Sequence, residues 1–581
     1  MKKILSVLDR FLGLPWVKRL CAGILLCMTA VAVYSFTVTP PTGDVRVFMA
    51  AANQVQYQAS DGLMAVFESW ELKGIANRLL MYLVYLPANA LVGFENKVTF
   101  MIVAKVVYAA GALCMLAVAA WLLPLDKKKK LTAFAVVSTL LFTVHTASQM
   151  QAEMSVAVLA VLAIACFLNG KLPAAIAGGL IAATFFYFKS LLILVFPLAL
   201  LGTALLKATA SPLSRVSYGV ICAAFFGGLA ALTAGVYAVY PQEFADMSMA
   251  SDFQSTYFSA GANANLVSMI QSFAKGFVDA VPLIPFLLCG AVAGVMVCIR
   301  YIRHKHAWQA VALIGMWLLA ADMIIVSNCY FVYHYMMLFL PAAASILLLI
   351  STARLRTCEI ALTAVAALVC TVACWVLRDG LKQVGFINTA TVLLVCMHIL
   401  AIAAVVCCSK SFRIAVNPSI WLTSLICLFF WMNYNSFIAP QCRNLMHLDR
   451  MVAEYNKDAL PEDYGDEPVL FLDAGVAAYY TDAPSYSRYY FNLPLQRWNA
   501  GDEWECKELE LDKLMAYDGE YILHTSWFPL NKYPEVQQKL HDEYELYTSI
   551  MDYAPSWNVF TLQQVSPENM GYIRVLKKKG S

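Results

Sequence analysis

The stretch PPTGDVRVFMAAANQVQYQASDGLMAVFESWELKGIANR, from Pro40 to Arg78, is the first long polar interruption in an otherwise apolar chain. It carries Asp44 a few residues after a hydrophobic run, then a cluster of Trp70, Glu71, Lys73, Asn77 and Arg78. Of 581 residues, 61% are hydrophobic and 14% charged, and the mean hydropathy is +0.65. So few charges cannot cover a soluble protein of this length, and the chain reads as a polytopic α-helical membrane protein. The net charge of +3 argues neither for nor against nucleic acid. The 17 cysteines lie mostly inside apolar runs, where thiols behave as small hydrophobes. Of those outside, Cys442 and Cys506 could pair, but spacing alone does not establish it. Met1–Arg19 is basic and amphipathic, with no clear cleavage site after the first apolar run.

A helix needs roughly 20 apolar residues to cross the hydrocarbon. Such runs fall near 20–38, 98–123, 131–146, 154–169, 172–188, 190–206, 216–240, 280–299, 308–327, 335–351, 359–377, 388–408 and 418–437. Short basic loops belong in the cytoplasm. With thirteen crossings, Lys2/Lys3/Arg10/Lys18/Arg19, Lys127–Lys130, Lys171, Lys207/Arg215, Arg300/Arg303/Lys305, Arg354/Arg356 and Lys410/Arg413 all share one side. Arg378 and Lys382 are the exceptions. Counting Leu79–Phe94 as a crossing would put Lys127–Lys130 outside. That run is therefore expected to lie in the outer interface or to dip and return, and the first external loop spans about 39–97. The N-terminus is cytoplasmic and the C-terminus extracytoplasmic in the cell (inner or plasma) membrane.

Residues 1–438 thus form the transmembrane part, and 439–581 a soluble extracytoplasmic tail. The tail is polar and rich in Tyr, Asp and Glu. Strand-like runs at Val469–Leu472, Tyr521–Thr525 and Asn558–Leu562 alternate with helical patterns at Gly475–Tyr480 and Tyr533–Tyr544, as in a small α/β domain. No glycine-rich phosphate loop, metal-spaced Cys/His cluster or internal repeat is evident.

The same parity places Asp44, Glu153, Lys189, His334 and Tyr335 on the outer face. A carboxylate at a membrane boundary can act as general base toward a hydroxyl, and a neighbouring Lys or Arg can hold a phosphate leaving group. Each residue also has a structural reading. Asp44 could be a helix N-cap, Glu153 could simply open a helix, and Lys189 could snorkel. Lys73 and Arg78 could bind headgroups, His334 could be a bonded structural histidine, and Lys127–Lys130 is a topology signal. Asp322, inside the ninth run, is a functional candidate by its cost in hydrocarbon, or bonds a neighbouring helix. Tail aromatics such as Tyr479 and Tyr480 suit sugar stacking, or a core.

In order, these features resemble the GT-C glycosyltransferases, membrane enzymes using polyprenyl-phosphate sugars, and most of all the branch with aminoarabinose transferases and protein O-mannosyltransferases. The resemblance is carried by Thr42–Gly43–Asp44, by Lys73–Tyr82 followed by Gly93–Phe94–Glu95–Asn96, and by Gln151–Ala152–Glu153, Phe188–Lys189 and Tyr333–His334–Tyr335…Pro341. In the tail, Leu470–Gly475 and Ser487–Arg488–Tyr489 are similar to domains following such cores. The family's prolines after the loop lysine are absent here. The resemblance implies an inverting displacement with Asp44 and Glu153 catalytic and Asp44 as base. It implies that Lys73, Arg78, Lys189, Trp70, Glu71, His334 and Tyr335 contact substrate. It also implies a polyprenyl-phosphate-linked sugar donor and a glycan, lipid or protein acceptor, with no nucleic acid partner. Oligosaccharyltransferases of the class use Asp-x-Asp in this loop to hold a metal. Here Arg46 stands where the second carboxylate would be, so no metal is obligatory, although Asp44 and Glu153 could share one. The competing functions are a transporter or flippase, and a polymerase or ligase, of lipid-linked saccharides. A transporter would concentrate polar groups at the bilayer midplane, and a polymerase would carry an arginine-bearing late loop.

Overall fold

The computed structural model describes residues 15–39, 41–69, 73–144, 148–207, 215–248, 266–280, 285–327, 332–351, 439–457, 459–461, 464–465, 467–473, 476–488, 505–525, 528–552 and 571–580. The last three expected spans, 359–377, 388–408 and 418–437, lie outside these residues, as does the 558–562 strand.

The first apolar run forms α1 (Pro15–Val38), which turns by 68° into α2 (Gly43–Gln54). A short α3 (Leu63–Glu68) leads to α4 (Ile75–Val92), α5 (Lys97–Leu122), α6 (Lys127–Phe142), α7 (Ala152–Asn169) and α8 (Leu172–Ala183). Then come α9 (Phe185–Phe188), a 3-10 segment Ser190–Leu194, α10 (Val195–Lys207) and α11 (Arg215–Val239). They are followed by α12 (Leu266–Ala280), α13 (Pro285–Arg303), α14 (Ala307–Val326), a 3-10 segment Val332–Leu338 and α15 (Phe339–Ser351). Each of the first ten expected spans thus coincides with helix. Among the described residues, five helices are long and apolar enough to cross a membrane, or six if the bent α1–α2 pair is one span.

One of the five is α4. It starts four residues before the expected Leu79 and continues through Pro87 to Gly93, whose φ of +76° ends it. Its length fits a crossing, so an interfacial placement rests on the positive-inside count alone.

Burial ranks the helices. In α7 78% of the residues are inside the protein, against 17% for Tyr218–Val239 of α11, so α7 is the hub and α11 lies at the periphery. The hub packs on α5, α8, α10 and the Val332–Leu338 segment, and what stands at its end is surrounded by protein.

The tail opens with α16 (Ala439–Lys457) and builds the four-stranded sheet β1-β2-β4-β3. Its strands are β1 (Leu470–Leu472), β2 (Tyr521–His524), β3 (Tyr544–Asp552) and β4 (Gly571–Lys578). β1 and β2 pair in parallel and the remaining pairs are antiparallel. The residue expected to close a helix, Tyr544, instead begins β3. Helices α17 (Ala477–Tyr480), α18 (Glu505–Ala516) and α19 (Pro534–Glu543) complete the tail. Strand alternation divides the sheet residues between two cores. Leu470, Leu472 and Ile522 pack with Leu514 of α18 and Val536 of α19. Phe471, Leu523, Ile550 and Val575 join the core that runs through the helical bundle. The sheet is therefore fused to the membrane part through one face. Tyr479 and Tyr480 belong to that shared core.

Candidate active site

Three of the expected residues meet at the N-terminal end of α7. Met150, with φ +55°, and the extended Gln151 lead into the helix, so Glu153 stands in its first turn. The partial positive charge of the helix end favours a carboxylate there. Lys189 is held in an extended break (φ −167°, ψ 131°) between α9 and the Ser190–Leu194 segment. His334 comes from the 3-10 turn packed on α7. The Lys189 ammonium donates to Glu153 Oε1 at 3.0 Å and to His334 Nε2 at 2.9 Å. His334 Nε2 also approaches Glu153 Oε1 to 3.5 Å. All three side chains are buried.

Lys73 joins them from the first loop. Its ammonium lies 5.7 Å from the ring centroid of Tyr333, whose ring meets His334 edge-on at 4.3 Å, and it acts electrostatically on Glu153. The loop reaches this position through Gly74, which donates its N–H to Phe188 O at 3.2 Å. A Cβ on Gly74 would stand 2.3 Å from Tyr187 O. The absent prolines are explained here: proline would delete the N–H and put ring atoms against a neighbouring backbone. Gly74→Ala is expected to cost about 1–3 kcal/mol, read as a lower thermal unfolding temperature. Gly23→Ala, with open space around the new methyl, should leave that temperature unchanged.

Asp44 stands in the first turn of α2, and the N-cap is Thr42, so the N-cap reading of Asp44 does not hold. The α1–α2 elbow is tied to the entry of α7 by Lys105 of α5. That buried ammonium donates to Thr39 O and, at 2.8 Å, to Gln149 Oε1. Asp44 and Glu153 therefore belong to elements joined by one side chain.

The remaining candidates are placed elsewhere. Arg78 is buried, but its guanidinium is taken up by the carbonyls of Phe67 (3.0 Å) and Ser69 (3.1 Å) and by Glu243. Glu243 also accepts the N–H of Ile75 at 3.0 Å and so caps α4. The charge expected to meet phosphate is neutralised by this pair. Tyr335 uses its hydroxyl on Phe273 O (2.8 Å) and is fully buried. Asp322 is exposed on α14. Trp70 and Glu71 lie outside the described residues, and Cys506 lies where no side chain is described.

The tail grips the first loop. Arg46, two positions after Asp44, donates to Asp552 of β3 at 2.8 Å and to the Tyr480 hydroxyl, which itself donates to Asp552 at 3.0 Å. Asp482 accepts from Asn53 (2.9 Å) and Tyr57 (2.8 Å). Burial, reinforced by Asp482, pushes the Tyr57 hydroxyl well above the ordinary phenol range. Arg488 pairs with Asp246. Burial raises the Asp246 carboxyl, with Arg488 opposing that shift.

ArnT from Cupriavidus metallidurans bound to undecaprenyl phosphate aligns over 96% of this chain and 98% of its own, with 11% identity and a TM-score of 0.49. The same protein in the apo state aligns over 95% and 98%, with 10% identity and 0.47. The Archaeoglobus fulgidus oligosaccharyltransferase in the apo form aligns over 94% and 81%, with 11% identity and 0.44. By sequence, no family model and no curated protein matches this chain.

Lys105 and Glu243 carry no expected role in the sequence, and Arg46 stands out there only as the cation in place of a second carboxylate. A signal existed for Lys105, a lone cation inside the apolar run 98–123, where a charge is costly and marks a built interaction. Nothing local marks Glu243, or the tie of Arg46 to Asp552.

Proposed function

We propose that the chain is a membrane glycosyltransferase that moves a sugar from a polyprenyl-phosphate donor to an acceptor hydroxyl. The observation that carries this reading is the charge at the end of α7. Two buried ammonium groups, Lys73 and Lys189, and the His334 imidazole face a single carboxylate, Glu153. Such a donor set has an excess of positive charge and suits an anion with several acceptor oxygens, as the departing phosphate has. The acceptor oxygen attacks the anomeric carbon, the bond from that carbon to the phosphate oxygen breaks, and its electron pair leaves with the phosphate. The hydroxyl proton passes to the Asp44 carboxylate, and configuration inverts. Lys189 and Lys73 stabilise the leaving phosphate, while Glu153 holds Lys189 at its distance from His334. Because two ammonium groups meet the phosphate charge, no divalent metal is required. The donor is lipid-linked, and the acceptor is a lipid-linked saccharide, a surface polysaccharide or a protein on the outer side of the membrane.

Asp44→Asn preserves shape but removes the base. Its transfer rate in detergent-solubilised protein, with undecaprenyl-phosphate sugars and a membrane extract as acceptor, is expected to fall by about 100- to 10,000-fold, with thermal unfolding unchanged. Wild-type activity in that variant would remove Asp44 from the mechanism.

A further inference from the structure

The segment that leads into α7, and Glu153 itself, carry polar atoms that the proposed phosphate contacts do not use. Gln151, the residue before the first turn of α7, is 1% exposed, and neither its amide oxygen nor its amide nitrogen has a partner among the described residues. Ser148, three residues earlier and 0% exposed, has an unpartnered hydroxyl. Glu153 Oε2, the carboxylate oxygen that Lys189 leaves free, is likewise buried and unbonded. At the elbow tied to this entry by Lys105, the Thr42 hydroxyl is in the same condition. Buried polar groups are normally bonded, because leaving one without a partner forfeits the hydration it had in the unfolded chain. Three such residues at the entry to one helix, with Thr42 at the elbow, amount to an unfilled requirement.

The chemistry of the set tells which occupant meets it. Glu153 Oε2 and Gln151 Oε1 only accept, Gln151 Nε2 only donates, and the Ser148 and Thr42 hydroxyls do either. A phosphate brings acceptors alone and would leave both oxygens unpaired. An apolar chain satisfies none of them. A ring carrying several hydroxyls gives and receives at once, and it would stand next to the phosphate held by Lys73 and Lys189. Resting on the function proposed above, we propose that Gln151 and Ser148, with Glu153 Oε2, form the subsite for the hydroxyl groups of the transferred sugar, and that Gln151 is its main specificity-determining residue.

The test uses the full-length protein in detergent and the variants Gln151→Leu and Ser148→Ala. Two probes separate the halves of the donor: undecaprenyl phosphate, and a panel of undecaprenyl phosphates bearing a hexose, an amino sugar or a pentose. Without ligand, Gln151→Leu should unfold at the wild-type temperature or above, since it removes buried groups that have no partner. Undecaprenyl phosphate should bind within twofold of wild type, while the preferred sugar-bearing donor loses about tenfold or more in affinity. Ser148→Ala should change the ranking of the panel with the same sparing of undecaprenyl phosphate. A clearly lower unfolding temperature for Gln151→Leu would overturn the subsite, because the amide would then be bonded to structural water. So would unchanged affinity for the sugar-bearing donor, or a wild-type protein that binds no panel member better than undecaprenyl phosphate. A wild-type protein that binds neither kind of lipid overturns the proposed function and the subsite together, which sets that outcome apart.

Discussion

Glu153→Gln is expected to abolish transfer and to lower the unfolding temperature, and Glu153→Gln/Lys189→Met to recover the temperature without the activity. Lys189 and Glu153 are 8% and 0% exposed in their side chains. Removing one partner of a buried pair strands the other charge and costs about 3–5 kcal/mol, whereas replacing both with neutral groups of similar volume is often neutral or better. Stability should therefore return in the double variant. Transfer should not, because the ammonium proposed to meet the departing phosphate is gone from the double variant and displaced from His334 in the single one. Loss of an oriented donor toward developing charge is worth about 100- to 1,000-fold in rate. Unfolding curves and initial rates on the same preparations read both effects. Recovery of transfer in the double variant would show that the pair is structural only.

Glu243→Ala is the second large effect, and it acts on stability. It strands the Arg78 guanidinium, 3% exposed in its side chain, and orphans the N–H of Ile75 that Glu243 caps. The loss expected is about 3–5 kcal/mol from the buried charge and about 1 kcal/mol from the cap. Glu243→Gln keeps an acceptor for the N–H and should lose less. The series also decides the role of Arg78. If its charge serves Glu243, Arg78→Met lowers the unfolding temperature and leaves undecaprenyl phosphate binding intact. If it serves phosphate, binding falls first.

What could be read from the sequence divides by the distance over which the cause acts. Charge parity depends on local runs of Lys and Arg, and it placed Glu153, Lys189 and His334 on one face; the structure brings these three together. Lys73 was legible too, although the reason it arrives there is a single missing methyl group at Gly74 against Tyr187 O. Arg78 looked like a phosphate ligand because its partner Glu243 is 165 positions away, and nothing around either residue announces the other. Gln151 is only one letter of a motif in the sequence, since an amide does not disclose there that its neighbours leave it unbonded. The start of α4 was misplaced for a similar reason: hydropathy sees the apolar run from Leu79, whereas the helix begins where Glu243 supplies its cap.

The hold of Asp552 on Arg46 spans 506 positions, and that gap is also an interval of time. At about 5–20 residues per second of synthesis, the partner of Arg46 is made roughly 25–100 s after Arg46 itself. Through that interval Arg46 lacks the carboxylate it is folded against. The contact that fixes the Asp44 helix therefore comes late, and a nascent chain whose bundle helices are all made still lacks it.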